Sequence, residues 1–268
     1  MTENTTTVCL LFPDVFVKHV TLRFDQRQGS SDGGAVLLKA AERRYDLVNR
    51  QSGCVVDTRQ AAKVDHQLAG LTAQRIYSIA CGYADPNDAA RLKDGPIHKM
   101  LLGRDPIAGL DLASQPSLSP LENAADPLQL YRMGEELAAS VIERHGKRLG
   151  GHARRVTIDL DPTHGAQQLS FFNSHYDNAC YLPVMGFVSF DDEADQYLCA
   201  AVLRHGNVTA TAGAVGILRR LMALIRRQFR KARIRVRLDG GFASPALFDF
   251  LDTSRALNME WRWPRMRS

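Results

Sequence analysis

The chain has 268 residues, enough for one large domain or two ordinary ones. Its 45% hydrophobic and 24% charged residues are ordinary globular composition, which excludes disorder along the whole length, and no stretch approaches the roughly 18 apolar residues of a membrane span. The net charge of +5 allows an anionic partner, while five cysteines without a C-x-x-C pair exclude a disulfide framework or zinc ribbon and fit a reducing cytosol; the polar start, Met1 to Thr7, gives no reason to expect a secretory leader.

In chain order, residues 17–24 read as a strand and the G-S-S-D-G-G of 29–34 as a loop. Helical spacing follows over 35–49, where Val36, Leu37, Ala40, Ala41, Leu47 and Val48 share a side. It returns over 60–82, with Leu68, Leu71, Ile76 and Ile79. Asp85 or Asn87 is placed to cap a short helix around 88–93. The segment 94–127 carries Pro96, Pro106, Pro116, Pro120 and Pro127, so short helices joined by turns are expected, before a longer helix over 127–145. Residues 1–150 thus form a mostly helical region.

After Gly150 the pattern changes, and 151–268 form a second region. Strands are expected over 154–160 (R-R-V-T-I-D-L), 180–190 and 196–203, the last two as an antiparallel hairpin around D-D-E-A-D. A helix over 208–230, a fourth strand over 234–238 and a helix beginning at 245–251 complete the pass. The fold class is α/β, with one mixed sheet crossed by the 208–230 helix.

A β-β-β-α-β order with a right-handed crossover sets the fourth strand beside the first and parallel to it. Asp161 and Asp239 then share one edge of the sheet, about 5 Å apart. Two carboxylates so close require a cation or a shared proton, and hard oxygen ligands suit Mg²⁺. The plainer alternative is that Asp161 starts a turn and Asp239 caps the next helix.

From Arg219 to Arg237 nine basic residues occur without an acidic one. Arg219, Arg220, Arg226, Arg227, Arg230 and Lys231 are candidate contacts to a phosphate backbone, the alternative being a solvated basic helix. His164, His175 and His205 read as loop hydrogen-bonders, and Cys180 and Cys199 as core residues. No P-loop, G-x-G-x-x-G, H-E-x-x-H or G-x-S-x-G is present, and no cofactor-binding residues are expected beyond the metal pair.

Six ordered blocks carry a resemblance. They are Q-R-I-Y-S-I-A-C-G-Y-A-D-P-N-D-A (74–89), A-S-Q-P-S-L-S-P-L-E-N (113–123), D-L-D-P-T-H-G-A-Q-Q (159–168), F-F-N-S-H-Y-D (171–177), L-R-H-G-N (203–207) and V-R-L-D-G-G-F (236–242). Over roughly 10–258 the chain resembles bacterial insertion-sequence transposases of the DDE type, group one. The resemblance implies an RNase H-like core behind a helical DNA-binding region. It implies Mg²⁺ (or Mn²⁺) held by Asp161, Asp239 and a third acid, and cutting and joining of element ends. The implied partner is double-stranded DNA, both element ends and target, in a bacterial cytoplasm at the nucleoid. No membrane partner is implied, and the resemblance leaves room for a homodimer.

The chain departs from that pattern. Its first carboxylate block is shorter than the L-D-x-D-x-T-D-D-P-x-H-G of the family, and D-G-G-F stands where a Ser commonly follows the second Asp. The tail N-M-E-W-R-W-P-R-M-R-S resembles a frame-shifted end without a family-like strand, and Glu260 lies outside any matching motif. The expectation is a C-terminally truncated, partial core, with one sheet face lacking its helices, exposed apolar area there, and no strand transfer. The alternatives are a non-catalytic DNA-binding remnant and a basic nucleic-acid-binding α/β protein.

Overall fold

A computed structural model describes residues 10–12, 14–16, 19–21, 31–60, 62, 64–163, 165–174, 177–255 and 259–262. The chain divides into two compact units, residues 1–130 and 131–268.

In the first unit β1 (Leu10–Leu11) pairs antiparallel with β2 (Val20–Thr21). That is the described part of the expected strand; residues 17, 18 and 22–24 lie outside the described residues. Helices follow: α1 (Val36–Tyr45), α2 (Leu47–Ser52), α3 (Leu68–Ala80), α4 (Ala89–Leu92), α5 (Pro96–Leu101) and α6 (Gln115–Ala124). The single helix expected over 35–49 is two, because Asp46 turns left-handed (φ 54°) and the Glu42 side chain accepts the Val48 N–H (2.9 Å). Asp85 caps as expected, accepting from Asn87 N at 2.9 Å.

α3 is the axis of this unit. Leu71 packs with Ala89, Ala113 and Leu118, while Tyr77 packs with Ala35 and Leu101. Buried Gln74 is held by a two-way bond to Ala113, Nε2 to O at 2.7 Å and N to Oε1 at 3.0 Å. Arg75 pairs with Glu122 and donates to the carbonyls of Tyr83 and Ala84. The first two sequence blocks are therefore tied to each other by side chains.

α7 (Pro127–Arg148) leads into the second unit, followed by β3 (Arg155–Pro162), β4 (Gly165–Asn173), β5 (Asn178–Tyr181), β6 (Val184–Phe190), β7 (Tyr197–Val202), α8 (Ala214–Gln228), β8 (Arg233–Leu238), α9 (Pro245–Arg255) and β9 (Met259–Arg262). The main sheet has the order β7-β6-β3-β8-β9. β7, β6 and β3 alternate in direction, and β3, β8 and β9 run parallel. These are the strand order and directions of an RNase H-like core. β8 lies beside β3 as expected, and the tail contributes β9 in place of the expected absence of a strand.

Three boundaries differ from the sequence pattern. Pro183, which lacks an N–H, divides the strand expected over 180–190, so Cys180 belongs to β5. α8 begins at Ala214, after turns over 208–213. β4 and β5 form a separate antiparallel hairpin between β3 and β6, with a register irregularity between Ala166 and Phe171.

Alternation decides the faces of the main sheet. Val156, Ile158, Leu160, Val184, Val188, Phe190, Ile234, Val236 and Leu238 join one core with Ile142 of α7, Leu218, Leu221 and Ile225 of α8, and Leu247 and Leu251 of α9. Each such fully buried aliphatic side chain is worth about 1.5–3 kcal/mol. The other face carries Arg155, Thr157 and Asp159 of β3 in register with Arg233, Arg235 and Arg237 of β8, and Asp161 just beyond them. Met185 and Phe187 on that face are half-buried and Leu198 is exposed. Arginines rather than the expected apolar area dominate it.

Candidate functional site

The β3–β8 register ends at Leu160 opposite Leu238. The next residue on each strand is an aspartate. Asp161 still pairs with β6 opposite Met185, and Asp239 continues extended (φ −80°, ψ 176°). Both side chains are exposed at the same edge of the sheet. Asp239 Oδ1 accepts from Gly241 N at 2.9 Å, which fixes the carboxylate while it also caps the turn over Gly240–Phe242. The capping alternative for Asp239 is therefore real, and it leaves the second carboxylate oxygen for another role.

Asp159 shares the face of Asp161 but not its situation. The Arg237 guanidinium forms a two-pronged ion pair with it, including Nη2 to Oδ2 at 2.6 Å, and the pairing pushes the Arg237 pKa further up. Among the described residues Asp161 has no such partner. Of the two acids in D-L-D, the first is paired with Arg237 and the second is exposed at the sheet edge.

Four sequence blocks converge beside this pair. A cleft of about 740 Å³ is lined by Pro162, by Phe172, Asn173 and Ser174 of the β4–β5 hairpin, by the loop 207–210, and by Asp239 and Gly241. The loop is held from below by Arg204, whose Nε donates to Leu182 O and whose Nη1 donates to Ala210 O and Ala212 O, each at 2.8 Å. Gly206 is required by close approach: a Cβ there would lie 2.0 Å from Cys180 O and 2.6 Å from Phe171 O. Asn173 Nδ2 donates to Gly206 O, and His205 bridges to Tyr181 and packs edge-on against Phe171 (4.2 Å). His205 lies in the loop as its sequence context suggests, but its ring packs against Phe171 rather than making the side-chain hydrogen bond expected of it. Arg204 and Phe172 do not stand out in sequence, where their signal lies only in the blocks L-R-H-G-N and F-F-N-S.

His164 and His175 lie outside the described residues. Cys180 and Cys199 are buried core residues, and burial pushes the Cys199 thiol up to about 12. Among the described residues no three His, Cys, Asp or Glu side chains gather as metal ligands. Glu260 stands on β9 opposite Arg235, four residues before Asp239 on the neighbouring strand, so it lies roughly 13 Å short of the site along the sheet.

The basic run is divided by the helix it occupies. Arg220 is only 7% exposed; its guanidinium lies 4.9 Å from the centre of the Tyr131 ring and its Nη1 is 3.4 Å from Tyr131 O. Arg226 is half-buried and donates to Ala232 O. Arg220 is thus part of the packing, whereas Arg226 uses one guanidinium N–H on Ala232 O. Arg219 is exposed and stacks over Phe250 at 5.5 Å, and Arg227, Arg230 and Lys231 are exposed. Lys231 joins Arg154, Arg155 and Arg233 around a surface hollow, with Asp191 and Asp192 offsetting part of the charge. That hollow lies where β3 and β8 begin, roughly 20 Å along the strands from Asp161 and Asp239.

A family described as transposase DDE domain group 1 matches residues 12–259. No curated protein matches. Among solved structures the chain is similar to one in the crystal structure of a pre-cleavage Mos1 transpososome, at 12% identity and a TM-score of 0.24, over 90% of this chain and 62% of that one. The present chain thus spans less than two thirds of that relative, and at this score no argument rests on the superposition. No described helix is long and apolar enough to cross a membrane.

Proposed function

The chain belongs to the transposase DDE domain group 1 family, and from that premise we propose that it binds double-stranded DNA at the ends of an insertion element and serves metal-dependent cutting and joining of those ends. The observation that carries the proposal is the β3–β8 register, which ends in two exposed carboxylates at one sheet edge, Asp161 and Asp239. Their hard oxygen donors fit Mg²⁺ or Mn²⁺. Bound there, the cation would supply charge neutralisation and an activated oxygen nucleophile for attack at a phosphate.

The residues of the chain divide the remaining work. Asp161 and Asp239 would hold the cation, and Gly241 N orients the second carboxylate. Arg237 withdraws Asp159 from competition for it. Arg204 fixes the adjoining loop so that the cleft keeps its shape without the DNA. Arg227, Arg230 and Lys231, with the helical first region of residues 1–150, supply contacts to the phosphate backbone. The setting is a bacterial cytoplasm at the nucleoid, and a homodimer would bring two such sites to the two element ends.

Strand chemistry through two ions needs ligands on both. The described residues offer two carboxylates at the edge and no third, an observation that favours a second reading, a DNA-binding and metal-binding chain without strand transfer. The first reading predicts metal-dependent cleavage of DNA carrying the element ends, and the second predicts binding of DNA and Mn²⁺ with that DNA left uncut. Cleavage that requires metal and disappears in Asp161→Asn and Asp239→Asn would reject the second reading and support the first in full.

A further inference from the structure

The first unit has a hollow that no part of the proposed chemistry uses. It lies beside the break between α1 and α2 at left-handed Asp46 (φ 54°), and its volume of about 490 Å³ is that of a small-molecule site. Ala69, Gly70 and Ala73 of α3 line it with short side chains, and a Cβ built on Gly70 meets no atom within 4 Å. Val48 and Leu102 extend the apolar lining. The polar groups around it are unequally engaged. Glu42 already accepts the Val48 N–H at 2.9 Å, and Asp46 Oδ1 accepts from Asn49 Nδ2 at 2.6 Å. Among the described residues Lys39 and Arg43, one helical turn apart on α1, have no hydrogen bond or ion pair. Tyr77 is 3% exposed, and its hydroxyl is shut from solvent without a hydrogen-bond partner. Burial, with a smaller effect of the Glu42 carboxylate, pushes that hydroxyl up to about 12, so it is a donor. Burial lowers the Lys39 pKa, which an anion beside it would offset. Two cations and one hydroxyl are thus left over, and all three donate.

We propose that this hollow binds a small organic anion, a carboxylate whose apolar body lies on Ala69, Gly70 and Ala73 and whose charge meets Lys39, Arg43 and the Tyr77 hydroxyl. Charge-assisted hydrogen bonds to the cations hold the carboxylate, and the Tyr77 hydroxyl gains the acceptor it lacks. The short side chains of α3 leave room for the apolar body and select for it. A DNA phosphate offers the same charge but no apolar body to cover α3, so the occupant is a free small molecule and not nucleic acid. Asp161 and Asp239 belong to the second unit, so a failure of the metal site leaves this hollow untouched.

The test uses the full chain and 2-naphthoate as the probe, read by titration calorimetry and by melting temperature. The probe should bind at one site and raise the melting temperature as its concentration rises. The neutral alcohol 2-naphthalenemethanol, which lacks the charge, and acetate, which lacks the apolar body, should each bind more weakly by on the order of tenfold. Lys39→Ala and Arg43→Ala should each weaken 2-naphthoate binding on the order of tenfold, and Lys39→Arg should keep it. Gly70→Leu should fill the hollow and abolish binding without lowering the melting temperature of the unliganded chain, because the space above Gly70 is open and leucine favours the helix. Tyr77→Phe should weaken binding yet raise the unliganded melting temperature, because it removes a buried hydroxyl that has no partner. No binding, binding that survives Gly70→Leu, or equal binding of the acid and the neutral alcohol would overturn the inference. Displacement of 2-naphthoate by duplex DNA, together with weaker DNA binding in Gly70→Leu, would also overturn it and make the hollow a contact to the phosphate backbone.

Discussion

At the scale of single residues, charge on a helix reports little until the partner of each group is known. His145 of α7 is 2% exposed, stacked on Phe190 at 4.7 Å and close to Tyr197 at 4.1 Å. Burial and the nearby Arg148 and Arg144 guanidinium groups lower its pKa, against a smaller opposing effect of Glu193. The folded chain therefore resists a proton that the unfolded chain accepts below its ordinary value of 6.5. Stability from this residue is fully present above that pH and is lost as pH falls toward the depressed folded value. His145→Phe, which keeps a ring in the stack but cannot titrate, should flatten the fall in melting temperature between about pH 7 and 5. An unchanged slope would show that other groups set it. The same attention to partners separates Asp159 from Asp161, two residues apart with the same side chain, and Arg220 from Arg219, adjacent in sequence but on different sides of α8.

At the scale of elements, much of the main sheet was legible because its strands alternate and its helix α8 is strongly two-sided. V-x-I-x-L in β3 and I-x-V-x-L in β8 announce one buried face, and the order of elements then places Asp161 beside Asp239. The β4–β5 hairpin was not legible. G-A-Q-Q-L-S lacks alternation, and its docking depends on Gly206, Arg204 and Asn173, which bond to partners distant in the chain. The residues before α8, V-T-A-T-A-G, read as a helix start only because the carbonyls of Ala210 and Ala212 could not be known to bond Arg204. β9 was missed because M-E-W-R, although it alternates apolar and polar residues, is only four residues long and is identified by its pairing with β8. In the first unit α3 carries the corresponding lesson, since Gln74 looks like a surface residue in sequence yet is buried against Ala113. Gln74→Ala leaves the Ala113 N–H and C=O without these partners. It should destabilise the first unit by about 1–3 kcal/mol in denaturant unfolding, whereas an effect near zero would mean the clamp is replaced by water.

At the scale of the whole molecule, a basic surface and a pair of carboxylates stand at opposite ends of the same two strands. Replacing Arg227, Arg230 and Lys231 with Ala should weaken binding to duplex DNA alike for all sequences, and should reduce the salt slope by about 0.9 for each phosphate no longer neutralised. Arg220→Ala should act instead on stability, since that side chain packs on Tyr131. A slope unchanged in the triple variant would move the DNA surface elsewhere. The proposed chemistry depends above all on metal binding at the carboxylates, which the loss of the free Mn²⁺ electron paramagnetic resonance signal reads out without any need for turnover. The wild-type chain should bind Mn²⁺, and Asp161→Asn and Asp239→Asn should each weaken binding on the order of tenfold or more. Asp159→Asn, whose carboxylate is already paired with Arg237, should leave it intact. Binding that survives in both of the first two variants, or is lost equally in the third, would contradict a metal site at Asp161 and Asp239.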